Sequence, residues 1–257
     1  MTRLDLITRR ALTLSMVVEP AGVTALPKVA DAAVRSGIGW IILNHDAAYI
    51  CKLRKHYNVP ICVVSADHTE IGRLQGRQMA ALLPRGGTAL YIQGPSGSSA
   101  VGQRTGGLCD TKPQNVELRI LKAANWTEAG GYQVISSWLR LSTAHKQRID
   151  LVAAQNDLIA LGARKAFAEL TTGSEQDKWL SLPFTGIDGL AGTGQLWVRR
   201  GLLTATIVVP PITPCAIELA FQASRRNSQP PERTLIRPES FPDIGLLPSS
   251  TTRFILE

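Results

Sequence analysis

The sequence has few of the features that mark specialised classes of protein. Glycine, proline and charged residues interrupt every apolar stretch before it reaches about 18 residues, so no membrane insertion is predicted. The four cysteines lack the short paired spacing of a zinc site, and no histidine lies four residues from another histidine on a helix face. No metal site is therefore expected, and no cofactor is predicted either.

The chain also lacks a concentrated basic region, although its formal net charge is +8. Lysine and arginine occur in small scattered groups, without the long run or interleaved aromatic residues typical of nucleic-acid binding. Solvated basic faces are the simpler interpretation, and no nucleic-acid partner is predicted.

The N-terminal residues partly resemble a twin-arginine export signal at Thr8-Arg9-Arg10. The apolar stretch that follows is short, and Glu19-Pro20 ends it without a convincing small-residue cleavage site. A buried strand over residues 12–18 is predicted instead, and no export signal is expected.

Strand-like and helix-like segments alternate along most of the chain. The predicted strands are residues 12–18, 40–43, 60–65, 88–93, 116–122, 151–154, 184–187 and 204–209. The predicted helices are residues 26–35, 47–56, 71–83, from about 100, 130–139, 157–170 and 192–200. This rhythm predicts an α/β fold whose parallel sheets are covered by helices on both faces, and the proline-containing tail after residue 227 is expected to wrap the surface.

Polar residues follow most of the predicted strands, and parallel sheets gather ligands at the carboxyl ends of their strands. These residues are Glu19, Asn44, His45, Asp67, Gln93, Asn156, Asp157 and Asp188. Their donors and acceptors together suit a ligand rich in hydroxyl groups, although each residue alone is also a plausible helix cap. No acid or base partner for a catalytic carboxylate can be placed by spacing, so no enzyme activity is predicted.

A specific resemblance begins at residues 154–163, which read Ala-Gln-Asn-Asp-Leu-Ile-Ala-Leu-Gly-Ala. Phe-Thr-Gly-Ile-Asp-Gly follows at 184–189, and Val-Arg-Arg-Gly-Leu-Leu-Thr-Ala-Thr-Ile follows at 198–207. In order and distance these segments resemble those of type I periplasmic binding proteins, including ribose-binding members, and of lac-repressor-type effector domains. Upstream, Val-Pro-Ile-Cys-Val-Val-Ser-Ala-Asp and Ile-Gln-Gly-Pro also match, so the resemblance covers about residues 12 to 225.

The resemblance implies a two-lobed fold. It places residues 1–94 and about 210–227 in the N-terminal lobe, and residues 95–209 and 228–257 in the C-terminal lobe and tail. Family members begin with a further strand, helix and strand, so the N-terminal lobe is expected to lack its first βαβ unit.

The function that the resemblance implies is capture of a sugar or polyol between two lobes that close like a hinge. The partner would be the permease of an ABC-type importer, and the location would be the periplasm or cell envelope. The alternative is the effector-binding half of a lac-repressor-type transcription regulator that lacks its DNA-binding region.

Matched by position in the C-terminal lobe, Arg104 corresponds to the arginine that grips sugar hydroxyls, and Asn156 and Asp188 correspond to polar ligand contacts. Trp126 falls where the family places an aromatic residue beside the sugar, although a core tryptophan is an equal alternative. Val209 stands where ribose-binding members carry a glutamine, so a different ligand is expected.

In the N-terminal lobe the implied ligand contacts are Glu19, Asn44 and His45. His45 replaces an arginine that the family carries at the end of the corresponding strand. This replacement is a departure from the pattern of the family.

Overall fold

The computed structural model describes residues 15–18, 25–45, 47–141, 147–226 and 228–248. The chain divides into two compact units. Unit 1 contains the residues up to Asp67 together with Pro210–Arg237, and unit 2 contains His68–Val209 together with the chain from Pro238 onward. Each unit is therefore assembled from two separate segments of sequence.

The strands and helices of the described residues are labelled in chain order. The strands are β1 (Ser15–Val18), β2 (Gly39–Leu43), β3 (Ile61–Ala66), β4 (Gly87–Gln93), β5 (Val116–Lys122), β6 (Leu151–Ala154), β7 (Phe184–Thr185), β8 (Thr206–Val208), β9 (Arg233–Ile236) and β10 (Glu239–Phe241). The helices are α1 (Leu26–Arg35), α2 (Tyr49–His56), α3 (His68–Leu82), α4 (Ser99–Thr111), α5 (Glu128–Leu139), α6 (Asp157–Leu170), α7 (Gly173–Leu180), α8 (Gly194–Arg199) and α9 (Thr213–Arg226). None of these helices is both long and apolar enough to cross a membrane.

Unit 1 is built on a parallel sheet with the strand order β1-β2-β3-β9. One face of β2 and β3 packs against α1 and α2 through Trp40, Ile42, Ile61 and Val63. The opposite face packs against α9 through Ile41, Leu43, Cys62 and Val64. Because successive side chains of a strand point to opposite faces, strands covered on both sides must be apolar throughout, as β2 and β3 are.

Unit 2 is built on a parallel sheet with the strand order β5-β4-β6-β7. Parallel bridges Thr185–Ala205 and Asp188–Val208 place β8 beside β7, and β10 pairs antiparallel with β8. As in unit 1, alternate residues of the central strand β4 pack into separate hydrophobic cores on the two faces of the sheet. Leu90 and Ile92 pack with α5, α6 and α7, whereas Ala89 and Tyr91 pack with α3 and α4.

The two sheets confirm the predicted α/β fold, in which parallel strands are flanked by helices. The boundaries of the units differ from the predicted lobes in two places. Residues 68–94 belong to unit 2 because α3 packs on its sheet and β4 pairs with β5 and β6. Residues 228–237 belong to unit 1 because β9 pairs with β3. The expected loss of a first βαβ unit stays a prediction.

Helices α3 and α4 approach each other so closely that their backbones touch. A Cβ atom built on Gly107 of α4 would lie 2.0 Å from the carbonyl oxygen of Thr69, and one built on Gly72 of α3 would lie 2.0 Å from the carbonyl oxygen of Arg104. Only glycine permits this contact, because any side chain would force the helices apart. The two glycines therefore hold the helix that carries Arg104 against α3.

The neighbouring glycines Gly106 and Gly107 provide a matched pair of substitutions. We expect Gly107→Ala to lower the free energy of unfolding by about 2 kcal/mol, because the new methyl group meets the backbone of α3. Gly106→Ala meets open space and should raise the same free energy by up to about 1 kcal/mol, since alanine favours the helix. Urea unfolding of both variants checks the prediction, and equal effects would contradict it.

Candidate functional site

The polar residues of unit 2 gather where its parallel strands end. Gln93 is the last residue of β4, Gln155 and Asn156 follow β6, and Asp188 lies beyond β7. The carboxyl ends of adjacent parallel strands lie along one edge of a sheet, which is where such sheets bind ligands. This edge of unit 2 is the candidate site.

Arg104 reaches this edge from α4 and is only 7% exposed. Its Nη1 atom donates a hydrogen bond to the backbone oxygen of Gln155, and its Nε atom is buried without a hydrogen-bond partner among the described residues. Burial lowers the pKa of the guanidinium, and the carboxylate of Asp188 acts in the opposite direction. A buried cation with a donor that no protein group satisfies is suited to an oxygen-rich ligand.

Trp126 lies beside Arg104, with its ring centre 5.5 Å from the central carbon of the guanidinium. The ring also lies against Gly94, where an added Cβ atom would stand 2.2 Å from Cη2 of the indole. Trp126 is partly buried and packs on the core formed with α5 and α6. These contacts hold the indole ring in a cation–π pair with Arg104. Contact of Trp126 with a ligand stays a prediction.

Asn156 has two hydrogen bonds that serve the fold. Its Oδ1 atom accepts from the backbone N–H of Ile159 at 2.8 Å, which caps the first turn of α6, and its Nδ2 atom donates to the backbone oxygen of Trp126 at 2.9 Å. The side chain thus fixes the segment that carries Trp126. A ligand contact by the same amide stays a prediction.

Asp157 is buried at the start of α6, with 3% of its surface exposed. One carboxylate oxygen accepts from the hydroxyl of Thr206 at 2.6 Å, and the other accepts from the backbone N–H of Gly189 at 2.8 Å. Cβ atoms built on Gly186 and Gly194 would lie 2.2 and 2.0 Å from these two oxygens. Burial raises the pKa of this carboxyl group to about 7. The enclosed carboxylate joins α6 to the segments after β7 and in β8.

Asp188 has a backbone φ angle of +110°, which a residue other than glycine seldom adopts. Such strain persists where the surrounding structure imposes it, and it is frequent at binding sites. The side chain is partly exposed, burial raises the pKa of its carboxyl group to about 6, and the charge of Arg104 lowers it. Val209 donates its backbone N–H to the Asp188 carbonyl at 3.0 Å, so these two predicted residues are adjacent.

The raised pKa of Asp188 predicts how stability depends on pH. Because the folded protein holds this proton more tightly than the unfolded chain does, protonation adds stability as the pH falls from about 7.5 to about 5.5. Asp188→Asn should reduce this acid-induced gain in the free energy of unfolding by about 1 kcal/mol. Urea unfolding at both pH values measures the gain, with the exposed Asp177→Asn as control. An equal or larger gain in Asp188→Asn than in the wild type would contradict the prediction.

The predicted site residues of the N-terminal lobe lie in unit 1. Asn44 follows β2 with a φ angle of +56°, and its Oδ1 atom accepts from the backbone N–H of Ala66 at 3.3 Å. His45 is the next residue and is partly buried. Glu19 lies outside the described residues. The ligand contacts predicted for these three residues stay predictions.

The site contains two further buried residues, Gln155 and Asp157. Gln155 was not predicted, whereas Asp157 was named among the polar residues that follow strands but not among the ligand contacts matched to the family. Both lie in the polar run Gln155-Asn156-Asp157 directly after the apolar strand β6. Three consecutive polar residues directly after a buried strand are a signal that the sequence contains. Such residues need hydrogen-bond partners when they are buried, so they indicate a polar network at the end of the strand. Among the described residues, no group of three or more His, Cys, Asp or Glu side chains is arranged to hold a metal ion.

This chain is similar in sequence to one protein family and to individual binding proteins. The model of a family described as periplasmic binding protein domain matches residues 16–222. A putative rhizopine-binding protein of Rhizobium meliloti is 26% identical over 156 residues, which are 59% of this chain and 48% of that protein. A D-ribose/D-allose-binding protein of Pseudomonas aeruginosa is 29% identical over 155 residues, which are 59% of this chain and 46% of that protein. The matched segment therefore spans about half the length of each relative.

A solved structure shares the fold over nearly all of the chain. It is an ABC transporter periplasmic solute binding protein of Actinobacillus succinogenes with bound D-allose. It superposes with a TM-score of 0.74 at 20% identity and covers 94% of this chain and 82% of that protein. At this identity the likeness concerns the fold.

Proposed function

We infer that this chain, which belongs to the periplasmic binding protein domain family, captures a sugar or a similar polyol. The observation that carries the proposal is the buried Arg104, whose Nε donor has no partner among the described residues and whose charge interacts with the carboxylate of Asp188. The two groups stand at the end of a parallel sheet, where ligands of such sheets bind.

The chemistry of these two side chains favours a neutral polyhydroxyl ligand. Arginine can only donate hydrogen bonds and an ionised aspartate can only accept them, whereas a hydroxyl group does both. A ligand with neighbouring hydroxyl groups satisfies Arg104 and Asp188 together and adds no net charge to the site. The name of the D-ribose/D-allose-binding relative and the D-allose in the related structure support this class of ligand.

The proposed partner is the permease of an ABC-type importer, and the proposed location is the periplasm or cell envelope. The support is the family to which the chain belongs and the description of the related structure as an ABC transporter solute binding protein. The proposed role is capture and delivery, with no chemical change to the ligand.

A thermal-shift screen with D-ribose, D-allose and xylitol tests the proposal. A ligand that binds only the folded protein adds about 2.7 kcal/mol at 100 times its Kd, which raises the Tm by several degrees. Each compound is compared with sucrose at the same millimolar concentration, since sugars also stabilise proteins without binding. A shift specific to one compound, confirmed by titration calorimetry, supports the proposal. Absence of any specific shift from a cooperatively folded protein would overturn it for this set of ligands.

A further inference from the structure

Gln155 is a fully buried amide whose hydrogen bonds extend in several directions. Its Nε2 atom lies within hydrogen-bond distance of the Tyr91 hydroxyl at 2.8 Å, the Val101 carbonyl at 3.1 Å and the Thr105 hydroxyl at 3.1 Å. Its Oε1 atom accepts from the backbone N–H of Gly94 at 3.1 Å. One side chain thus connects the ends of β4 and β6 with the first half of α4.

The groups on α4 that Gln155 contacts lie on either side of Arg104. Val101 precedes Arg104 by three residues in α4, and Thr105 follows it directly. Arg104 itself donates to the backbone oxygen of Gln155. The side chain and the backbone of Gln155 therefore fix the helix turn and the guanidinium together. Burial raises the pKa of the Tyr91 hydroxyl to about 12, so this neighbour stays neutral.

Gly94 connects Gln155 with the other half of the cation–π pair. The peptide N–H of Gly94 is held by Gln155, and the indole of Trp126 lies directly against the glycine Cα. A shift of Gly94 would move the surface on which Trp126 rests. Gln155 thus contacts both the segment that carries Arg104 and the residue that supports Trp126.

We propose that Gln155 is a positioning residue that sets the stacking of Arg104 on Trp126 and thereby shapes the ligand site of unit 2. The effect on ligand binding rests on the proposed function, whereas the positioning itself is a property of the ligand-free protein. Replacing Gln155 by an apolar residue removes the acceptor of Gly94 and the donor of Tyr91 and Thr105 at once. The backbone oxygen of residue 155 still accepts from Arg104, and Asn156 still holds the Trp126 segment, but the side-chain link between Gly94 and the α4 turn is lost.

The test measures the Arg104–Trp126 stacking by NMR in the ligand-free chain. The ring current of Trp126 displaces the Arg104 guanidinium resonances, which are identified by their return toward ordinary values in Trp126→Leu. We expect Gln155→Met to abolish at least half of this displacement. Gln75→Met is the matched control, because Gln75 is also fully buried and donates to the neighbouring carbonyl of Ala154 at 2.9 Å.

Thr105→Val provides a second variant, which removes one partner of Gln155 together with the bonds of the Thr105 hydroxyl to Gln93 and Val101. It tests the proposal even where Gln155→Met does not fold. A partial loss of the displacement in Thr105→Val is expected. An unchanged displacement in folded Gln155→Met, or in Thr105→Val where only that variant folds, would overturn the proposal. An equal loss in Gln75→Met would also overturn it, because general loosening of unit 2 would then explain the effect.

The affinity for the sugar or polyol found in the thermal-shift screen gives a second readout. Gln155→Met should weaken binding about tenfold, whereas Gln75→Met should leave the Kd within about twofold. Failure of the wild type to bind any of the three compounds would contradict the proposed function alone. The NMR displacement would still decide the role of Gln155.

Discussion

Replacing Arg104 by methionine is expected to weaken sugar or polyol binding by at least about 100-fold, which is about 2.7 kcal/mol. The methionine fills part of the volume of the arginine side chain but removes every donor of the guanidinium. It also leaves Asp188 without the neighbouring positive charge that lowers its pKa. Titration calorimetry with the compound that raises the Tm of the wild type measures the loss.

Arg164→Met is the matched control for Arg104→Met. Arg164 also places its guanidinium over an aromatic ring, 5.3 Å from the centre of Phe184, and donates to the carbonyl of Leu180 at 3.0 Å. Its cation–π contact lies on the face of the sheet that packs with α6 and α7 rather than at the strand ends. Retention of wild-type affinity by Arg104→Met, or an equal loss in Arg164→Met, would remove Arg104 from the binding site.

Replacing Asp157 by alanine should lower the free energy of unfolding by about 3 kcal/mol. The substitution leaves the hydroxyl of Thr206 and the backbone N–H of Gly189 without their acceptor, and Thr206 is completely buried. Water cannot replace the lost partner of such a group without cost. Urea unfolding checks the value, and Asp177→Ala in the exposed part of α7 should change it by less than about 0.5 kcal/mol.

A double-substitution cycle separates the hydrogen bond from other effects of the Asp157 variant. Thr206→Val should destabilise the wild type more than it destabilises Asp157→Ala, because the second background has already lost the bond. Strict additivity of the two substitutions would show that the bond between the side chains contributes little.

The elements with strong local signals were predictable from the sequence. The observed bounds of α1, β5, β6 and α6 coincide with the predicted ones, because apolar periodicity and flanking polar residues mark both ends of each element. Helix α9 was not predicted, because no element was assigned between the last predicted strand at 204–209 and the tail after residue 227. Thr213-Pro214 at its start is in fact a usual beginning of a helix, because proline is well tolerated in the first turn. Strands β9 and β10 were missed because their pairing partners are distant in sequence.

The candidate site was only partly predictable for a similar reason. The resemblance predicted Arg104, Trp126, Asn156, Asp188 and Val209 as ligand contacts, and the structure places all five in unit 2, while their contact with a ligand stays a prediction. It gave no means to choose between Asn156 as a helix cap and Asn156 as a ligand contact, and the structure shows the cap. The role proposed for Gln155 depends on hydrogen-bond partners at β4 and in α4. Hydrophobic periodicity within one segment does not show which distant segments lie beside it, so these partners could not be predicted.

The division of each unit into two segments of sequence has a consequence for synthesis on the ribosome. Strand β3 pairs with β9, which emerges only after residues 68–209 of unit 2 have been translated. Until then the edge of β3 that β9 will cover presents unpaired backbone groups beside a completed β2, and such edges attract other extended chains. During translation, all four strands of the parallel sheet in unit 2 are therefore synthesised before β9, the strand that covers this edge of β3.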